Sequence, residues 1–308
     1  MLQQFCTLID EFALTGVMET IRQIFRSLFN VNKTSKLKMS RFSKVFQSTK
    51  CAILGMIHVR ALPGSPRSQL SVSQLVDYAC KEAAIYQKCN VDGVIIENMF
   101  DVPYVMGDQV GPEVTAVMTR IGSEVKKTIG KMPCGVQVLS GNNFSATAVA
   151  LAADLQFVRA ESFVFAHVAD EGLMQACAGP LLRYSKNIGA TDILYFTDIK
   201  KKHSSHAITS DVSLTQMAKD AAFFLSDGII VTGTETGIAP NTKDFKDVKE
   251  ISDLPVLIGS GVTASNVKNF FDADALIIGS HFKANGHWRG DLDSSRILKF
   301  MDEVQKLR

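Results

Sequence analysis

From about residue 48 onward the chain passes through eight short apolar stretches, each followed by a segment with helical spacing. The candidate strands are 52–57, 93–97, 135–139, 157–159, 192–197, 228–231, 256–258 and 275–278. Short, almost uninterrupted apolar runs are what strands buried on both faces of a parallel sheet require, and eight in alternation with helices is the number that closes a barrel. The expected fold is therefore α/β, a single (β/α)8 TIM barrel over residues 48–308, preceded by an N-terminal helical extension over residues 1–47. At 308 residues and 46% hydrophobic content the chain can bury a core of that size. No linker or low-complexity segment divides it.

Helix signals fall between the strands. Ser71 followed by Gln74 forms a candidate capping box, with Leu75, Val76, Ala79, Ala83 and Ala84 on one face. Pro112 stands where a helix accepts proline, at its start, ahead of Val114, Val117, Met118 and Ile121. Further helices are expected near 145–155, 181–188, 214–225, 243–251, 264–271 and 294–307. The connections after strands two, four and five (98–110, 160–180 and 199–212) are long, and a barrel places its active site on the face that carries such loops.

The extension has its own pattern. Leu8, Phe12, Leu14, Val17, Ile21, Ile24, Phe25, Leu28 and Phe29 recur at helical spacing, and a basic stretch without acids runs from Lys33 to Lys44. It reads as an organelle-targeting presequence, as an accessory helix packed on the domain, or as a leader upstream of a start at Met39. Asp10, Glu11 and Glu19 weigh against the first. The expected location is the cytoplasm or the mitochondrial matrix, and no apolar run is long enough to cross a bilayer.

Charge is nearly balanced, with 33 basic and 31 acidic residues, so the chain lacks the footprint of a nucleic-acid binder. Its six cysteines have neither a C-x-x-C pair nor a repeated spacing, which points to reduced thiols rather than disulfides or structural zinc. No cofactor is indicated, and a divalent metal stays open: His58, Glu97, Asp198 and His203 are the possible ligands, without an H-x-H or H-E-x-x-H motif to support them.

The last two candidate strands end in small residues, Gly259-Ser260-Gly261-Val262 and Gly279-Ser280. Backbone N–H groups at two adjacent strand ends can converge on one anion, and a phosphate commonly sits there in such barrels. The plainer reading is that these glycines only make tight turns. Around the same rim the strand ends carry His58, Glu97, Asn142, Arg159, Asp198, Lys202, His203 and Gly233. His58, Glu97 and Asp198 are the candidate catalytic groups; Gly233, the two glycine loops, Asn142, Arg159, Lys202 and His203 are candidate ligand-binding groups. Each has a structural alternative. His58 could tie a loop, Glu97 could pair with Arg159, and the run Lys200–Lys202 could be a solvated loop. None of these lysines lies inside an apolar strand, which argues against a Schiff-base role.

These stretches together resemble the BtpA/SgcQ family. The likeness rests on Gly55-Met56-Ile57-His58 with Leu62-Pro63-Gly64-Ser65-Pro66, on Ile96-Glu97-Asn98 with Asp101-Val102-Pro103, and on Val110-Gly111-Pro112-Glu113. It continues through Gly135-Val136-Gln137-Val138-Leu139, Phe157-Val158-Arg159, Asp198 with Lys202-His203, Thr232-Gly233, Thr236-Gly237 and the two glycine loops. It spans residues 42–308 and departs at Lys200, where a histidine is expected, and at Ala160-Glu161-Ser162, where an asparagine-containing segment is usual. The resemblance implies a ribulose-phosphate-binding-like barrel. Members are tied by name to photosystem I accumulation, and some relatives are described as nucleosidases or sugar-metabolism proteins. Two functions follow as expectations. One is binding of a small phosphorylated sugar or nucleoside-like ligand, with hydrolase or lyase chemistry of the nucleosidase type run by carboxylates. The other is a non-catalytic assembly or stability factor for a membrane or redox complex, acting through a protein partner. Homo-oligomerisation is open in both.

Overall fold

The computed structural model describes Arg41–Arg308 apart from Ser48. The amphipathic segment expected at residues 8–29 and most of the basic stretch after it lie outside the described residues.

Eight parallel strands close into a barrel: β1 (Ala52–His58), β2 (Gly93–Glu97), β3 (Cys134–Gln137), β4 (Phe157–Ala160), β7 (Leu194–Ile199), β9 (Gly228–Val231), β10 (Val256–Ile258) and β11 (Ala275–Ile278). Closure runs through β1, which pairs with β11 on one side and β2 on the other. The eight apolar runs thus mark the eight staves, four with the expected boundaries and four with boundaries shifted by one or two residues.

Alternation along each strand sorts the core into two layers. Ala52, Leu54, Met56, Ile95, Phe157, Leu194, Phe196, Ile230, Leu257, Ala275 and Ile277 fill the barrel. Their neighbours, such as Ile53, Ile57, Val94, Ile96, Val136, Val158, Ile229 and Val231, pack outward under the helices. Gly135 belongs to the inner layer, where a Cβ would collide with the Phe157 ring.

The helices form where capping and spacing indicate. In α2 (Val72–Lys88) the Ser71 hydroxyl accepts from the Gln74 N–H at 3.3 Å, while the Ser71 N–H donates to Gln74 Oε1 at 2.9 Å. α3 (Pro112–Ile129) begins at its proline. α4 (Asn143–Ala152), α5 (Ala178–Asn187), α6 (Leu214–Phe223), α7 (Thr242–Ile251) and α8 (Ser294–Leu307) complete the outer ring. The helix expected at 264–271 is instead a loop with a single 3-10 turn at Val267–Asn269. Asn266 explains the difference: its Oδ1 accepts from the Thr263 N–H at 2.8 Å and its Nδ2 donates to Gly261 O at 3.1 Å, so local side-chain bonds outcompete the helical ladder.

Two features escape the strand-and-helix pattern. A short helix, α1 (Arg41–Phe46), plugs the barrel floor, with Phe42 and Phe46 stacked against Phe157 and Phe196 at centroid distances of 5.2–6.3 Å among Phe46–Phe157, Phe46–Phe196 and Phe157–Phe196, and 5.7 Å for Phe42–Phe196. On the opposite face, the long loops after β4 and β7 join in a small antiparallel sheet of β5 (His167–Ala169), β6 (Gly172–Met174) and β8 (Ser204–Ser205). Among the described residues no helix is long and apolar enough to cross a membrane.

Candidate active site

One more step of the inward alternation turns the barrel lining from apolar to polar. Past Met56 comes His58, past Ile95 comes Glu97, past Phe157 comes Arg159 and past Phe196 comes Asp198. The same step on β10 and β11 reaches Gly259 and Gly279. Two strands therefore contribute no side chain to the top layer, and a cavity of about 200 Å³ opens on that side. His58, Glu97, Arg159 and Lys202 line it together with both glycine loops, Gly259–Val262 and Gly279–Ser280. Met56, Met99 and Ile277 supply apolar wall. The volume is below the roughly 300–1,000 Å³ of drug-sized sites, which suits a small metabolite.

The glycines have separable roles. Gly259 is held to zero side chain by sterics, since a Cβ there would lie 2.6 Å from Ile230 Cγ2, 2.7 Å from Thr232 Cγ2 and 3.3 Å from Arg159 Nη2. Gly261 has φ +71°, and a Cβ would fall on the backbone of Ile238 and Ala239. The backbone N–H groups of Gly261, Val262 and Ser280 have no backbone acceptor among the described residues, as an anion cradle requires. Ser260 does not offer its hydroxyl to a ligand: it donates to Ile238 O at 2.8 Å and receives the Gly233 N–H at 3.3 Å.

The ionisable groups adjoin the glycines: a Cβ on Gly259 would lie 3.3 Å from Arg159 Nη2, and one on Gly279 3.4 Å from His58 Nε2. Arg159 and Asp198 form a buried bidentate pair, with Nε to Oδ2 and Nη2 to Oδ1 both at 2.9 Å. Asp198 raises the Arg159 pKa and so holds a permanent positive charge at the cavity wall. Glu97 thus does not spend itself on Arg159. Its Oε2 stands 3.8 Å from His58 Nε2, and burial pushes its carboxyl pKa up. His58 is pulled well below the usual imidazole range by burial and then by the Lys283 charge, so the contact with Glu97 is a polar one rather than an ion pair. With Nδ1 against Trp288 O at 3.1 Å, a neutral His58 keeps its proton there and presents an unprotonated Nε2 to the cavity.

Lys202 departs most from expectation. Burial first, and then Arg159, lowers its pKa, although it follows its strand rather than lying inside it. Its ammonium has no hydrogen-bond or ion-pair partner among the described residues. By solvent accessibility Lys202 is half-buried, and the two strongly buried lysines are tied down: Lys201 lies 3.5 Å from Glu161 and 3.8 Å from Glu171, and Lys283 binds both Glu82 oxygens at 2.7 and 2.8 Å.

The remaining candidates lie around the cavity rather than in it. Gly233 sits behind the first glycine loop, where a Cβ would meet Ile238 O. Asn142 caps α4, its Oδ1 accepting from the Ser145 N–H at 3.3 Å. His203 is exposed and binds Thr236, with Nε2 2.9 Å from Oγ1 and accepting the Thr236 N–H at 3.2 Å. Among the described residues no three His, Cys, Asp or Glu side chains gather as a metal site would need. The sequence reading missed the buried Glu82–Lys283 pair beneath His58 and the contribution of Thr236, Gly237, His281 and Arg296 to the cavity wall. Glu82 and Lys283 are 201 residues apart, and no local pattern joins them.

The model of the BtpA family matches residues 49–306. The chain belongs to the BtpA family. A Caenorhabditis elegans relative, described as mitochondrial, is 47% identical over 270 residues, covering 86% of this chain and 97% of its own. The photosystem I biogenesis protein BtpA of Synechocystis is 29% identical, covering 82% of this chain and 87% of its own. Among solved structures, the phosphoribosyl anthranilate isomerase of Thermus thermophilus superposes with a TM-score of 0.52 at 10% identity, covering 83% of this chain and all of that one. At that identity the likeness is one of fold, and it agrees with the closed eight-stranded parallel barrel.

Proposed function

We propose that this BtpA-family barrel is an enzyme acting on a phosphorylated sugar or nucleoside-like compound. The observation that supports this reading is one cavity that brings unpaired backbone N–H groups together with Arg159, Glu97, neutral His58 and Lys202. The phosphate lies on the free amides of the two glycine loops, those of Gly261, Val262 and Ser280, with Arg159 completing its charge balance. That anchor holds the sugar carbon against Glu97, the carboxylate free to move a proton, while Asp198 positions Arg159. For N-glycosidic cleavage Glu97 would activate water and face the positive charge developing on the sugar.

The test is binding of ribose 5-phosphate compared with ribose, read by thermal shift and calorimetry on wild type and Arg159→Met. The phosphorylated sugar alone should stabilise the wild type, by about 2.7 kcal/mol at a hundredfold excess over Kd. Equal responses to the two sugars overturn the phosphate reading. Substitution of Gly261 reports folding rather than binding, because its Cβ has no room.

A second reading, a non-catalytic assembly factor, draws on the name of the Synechocystis relative. Cells lacking the protein separate the two: rescue by Glu97→Gln equal to wild type favours assembly, and failure of a well-folded Glu97→Gln favours chemistry.

A further inference from the structure

We propose that Lys202 is a carbonyl-reactive amine and that the ligand of this cavity carries, besides its phosphate, an aldehyde or ketone that condenses with it to an imine. The proposal rests on the phosphate reading and adds to it the functional group at the other end of the ligand.

Three observations carry it. Lys202 lines the cavity that the two glycine loops also line, so an amine and an anion cradle face one volume. Elimination among lysines leaves Lys202 as the reactive one, since Lys201 and Lys283 are engaged by Glu161, Glu171 and Glu82. Its surroundings favour the neutral amine: burial and the neighbouring Arg159 guanidinium both disfavour an ammonium, the arrangement that activates a lysine nucleophile. Glu97 lies within the same electrostatic neighbourhood, and its own burial favours the protonated acid. An amine whose pKa is lowered and a carboxyl whose pKa is raised, both lining one cavity, are the pair that imine formation needs.

The step balances without any further reagent. The Lys202 lone pair attacks the carbonyl carbon, a C–N bond forms as the C=O π bond breaks, and one nitrogen proton passes to the oxygen, which becomes a hydroxyl. Glu97 gives its proton to that hydroxyl, which leaves as water while the nitrogen's remaining proton returns to the carboxylate and C=N forms. Carbonyl plus amine gives imine plus water, with no change of oxidation state.

Full-length protein is incubated with glyceraldehyde 3-phosphate, or with glyceraldehyde, in the presence of sodium borohydride, and the reduced adduct is located by peptide mass spectrometry. The label should fall on Lys202 with the phosphorylated aldehyde, weaken when inorganic phosphate competes, and slow in Glu97→Gln. It should be lost in Lys202→Met and in Lys202→Arg, the second retaining the charge; circular dichroism confirms that each variant is folded. Absence of label on Lys202, or labelling no faster than on exposed lysines such as Lys127, overturns the imine. If glyceraldehyde 3-phosphate still raises the melting temperature in that case, the phosphate reading survives. Conversely, labelling of Lys202 that is equal for both aldehydes and indifferent to phosphate keeps the imine and overturns the cradle.

Discussion

Glu97 closes a strand whose other residues are all apolar, and it is buried, with the edge of a neutral imidazole at 3.8 Å and the charges of Arg159 and Lys202 in its surroundings. Folding raises its pKa through burial, so the folded protein holds the Glu97 proton more tightly than the unfolded chain does. That contribution to stability is complete below the ordinary glutamate pKa of about 4.3 and is lost as pH rises through the folded value. A glutamine has no proton to lose. Glu97→Gln should therefore gain stability relative to wild type as pH rises through that window and show a constant difference below about pH 4, as measured by denaturant unfolding at a series of pH values. A difference independent of pH throughout would show that Glu97 keeps its ordinary titration. At this scale the sequence was informative where strand alternation decided the outcome. His58 and Glu97 stand at the first inward position past an apolar run, and both line the cavity. It was uninformative where a partner comes from afar: the pairing of Arg159 with Asp198 rather than Glu97, and the desolvation of Lys202, depend on side chains brought together from β2, β4 and β7.

At the scale of elements, boundaries were legible wherever a local hydrogen bond sets them. The capping box of α2 is one such case, and Ser71→Ala should cost about 1 kcal/mol, read as a lowered midpoint with unchanged slope in urea. The segment 264–271 misled for the same physical reason, because Asn266 offered its backbone a better local partner than a helix would. The small sheet β6–β5–β8 was hidden because two of its strands are three residues long and the third only two, too short for any alternation to register. Its place is nevertheless beside the candidate site. It joins the loops after β4 and β7, the strands that carry Arg159 and Asp198, and its strand β8 begins one residue beyond His203.

Across the whole molecule the barrel separates what holds it together from what it binds. The floor is an aromatic plug, Phe42 and Phe46 of α1 on Phe157 and Phe196, and the opposite mouth is the polar layer with its cavity. Between them lie Leu54, Ile95, Leu194, Ile230, Leu257 and Ile277, all essentially inaccessible to solvent. Phe46→Ala removes a buried ring and should cost about 3–5 kcal/mol while leaving the affinity for ribose 5-phosphate unchanged, since the closely packed barrel interior intervenes. The decisive measurement is the double variant with Glu97→Gln. Neither residue contacts the other and they share no hydrogen-bond partner, so their stability changes should add within about 0.3–0.5 kcal/mol. A larger coupling would mean that the inner stack transmits strain from floor to mouth, and that the glycine loops and the carboxylate that line the cavity with them are set by the plug beneath them rather than by the strands that carry them.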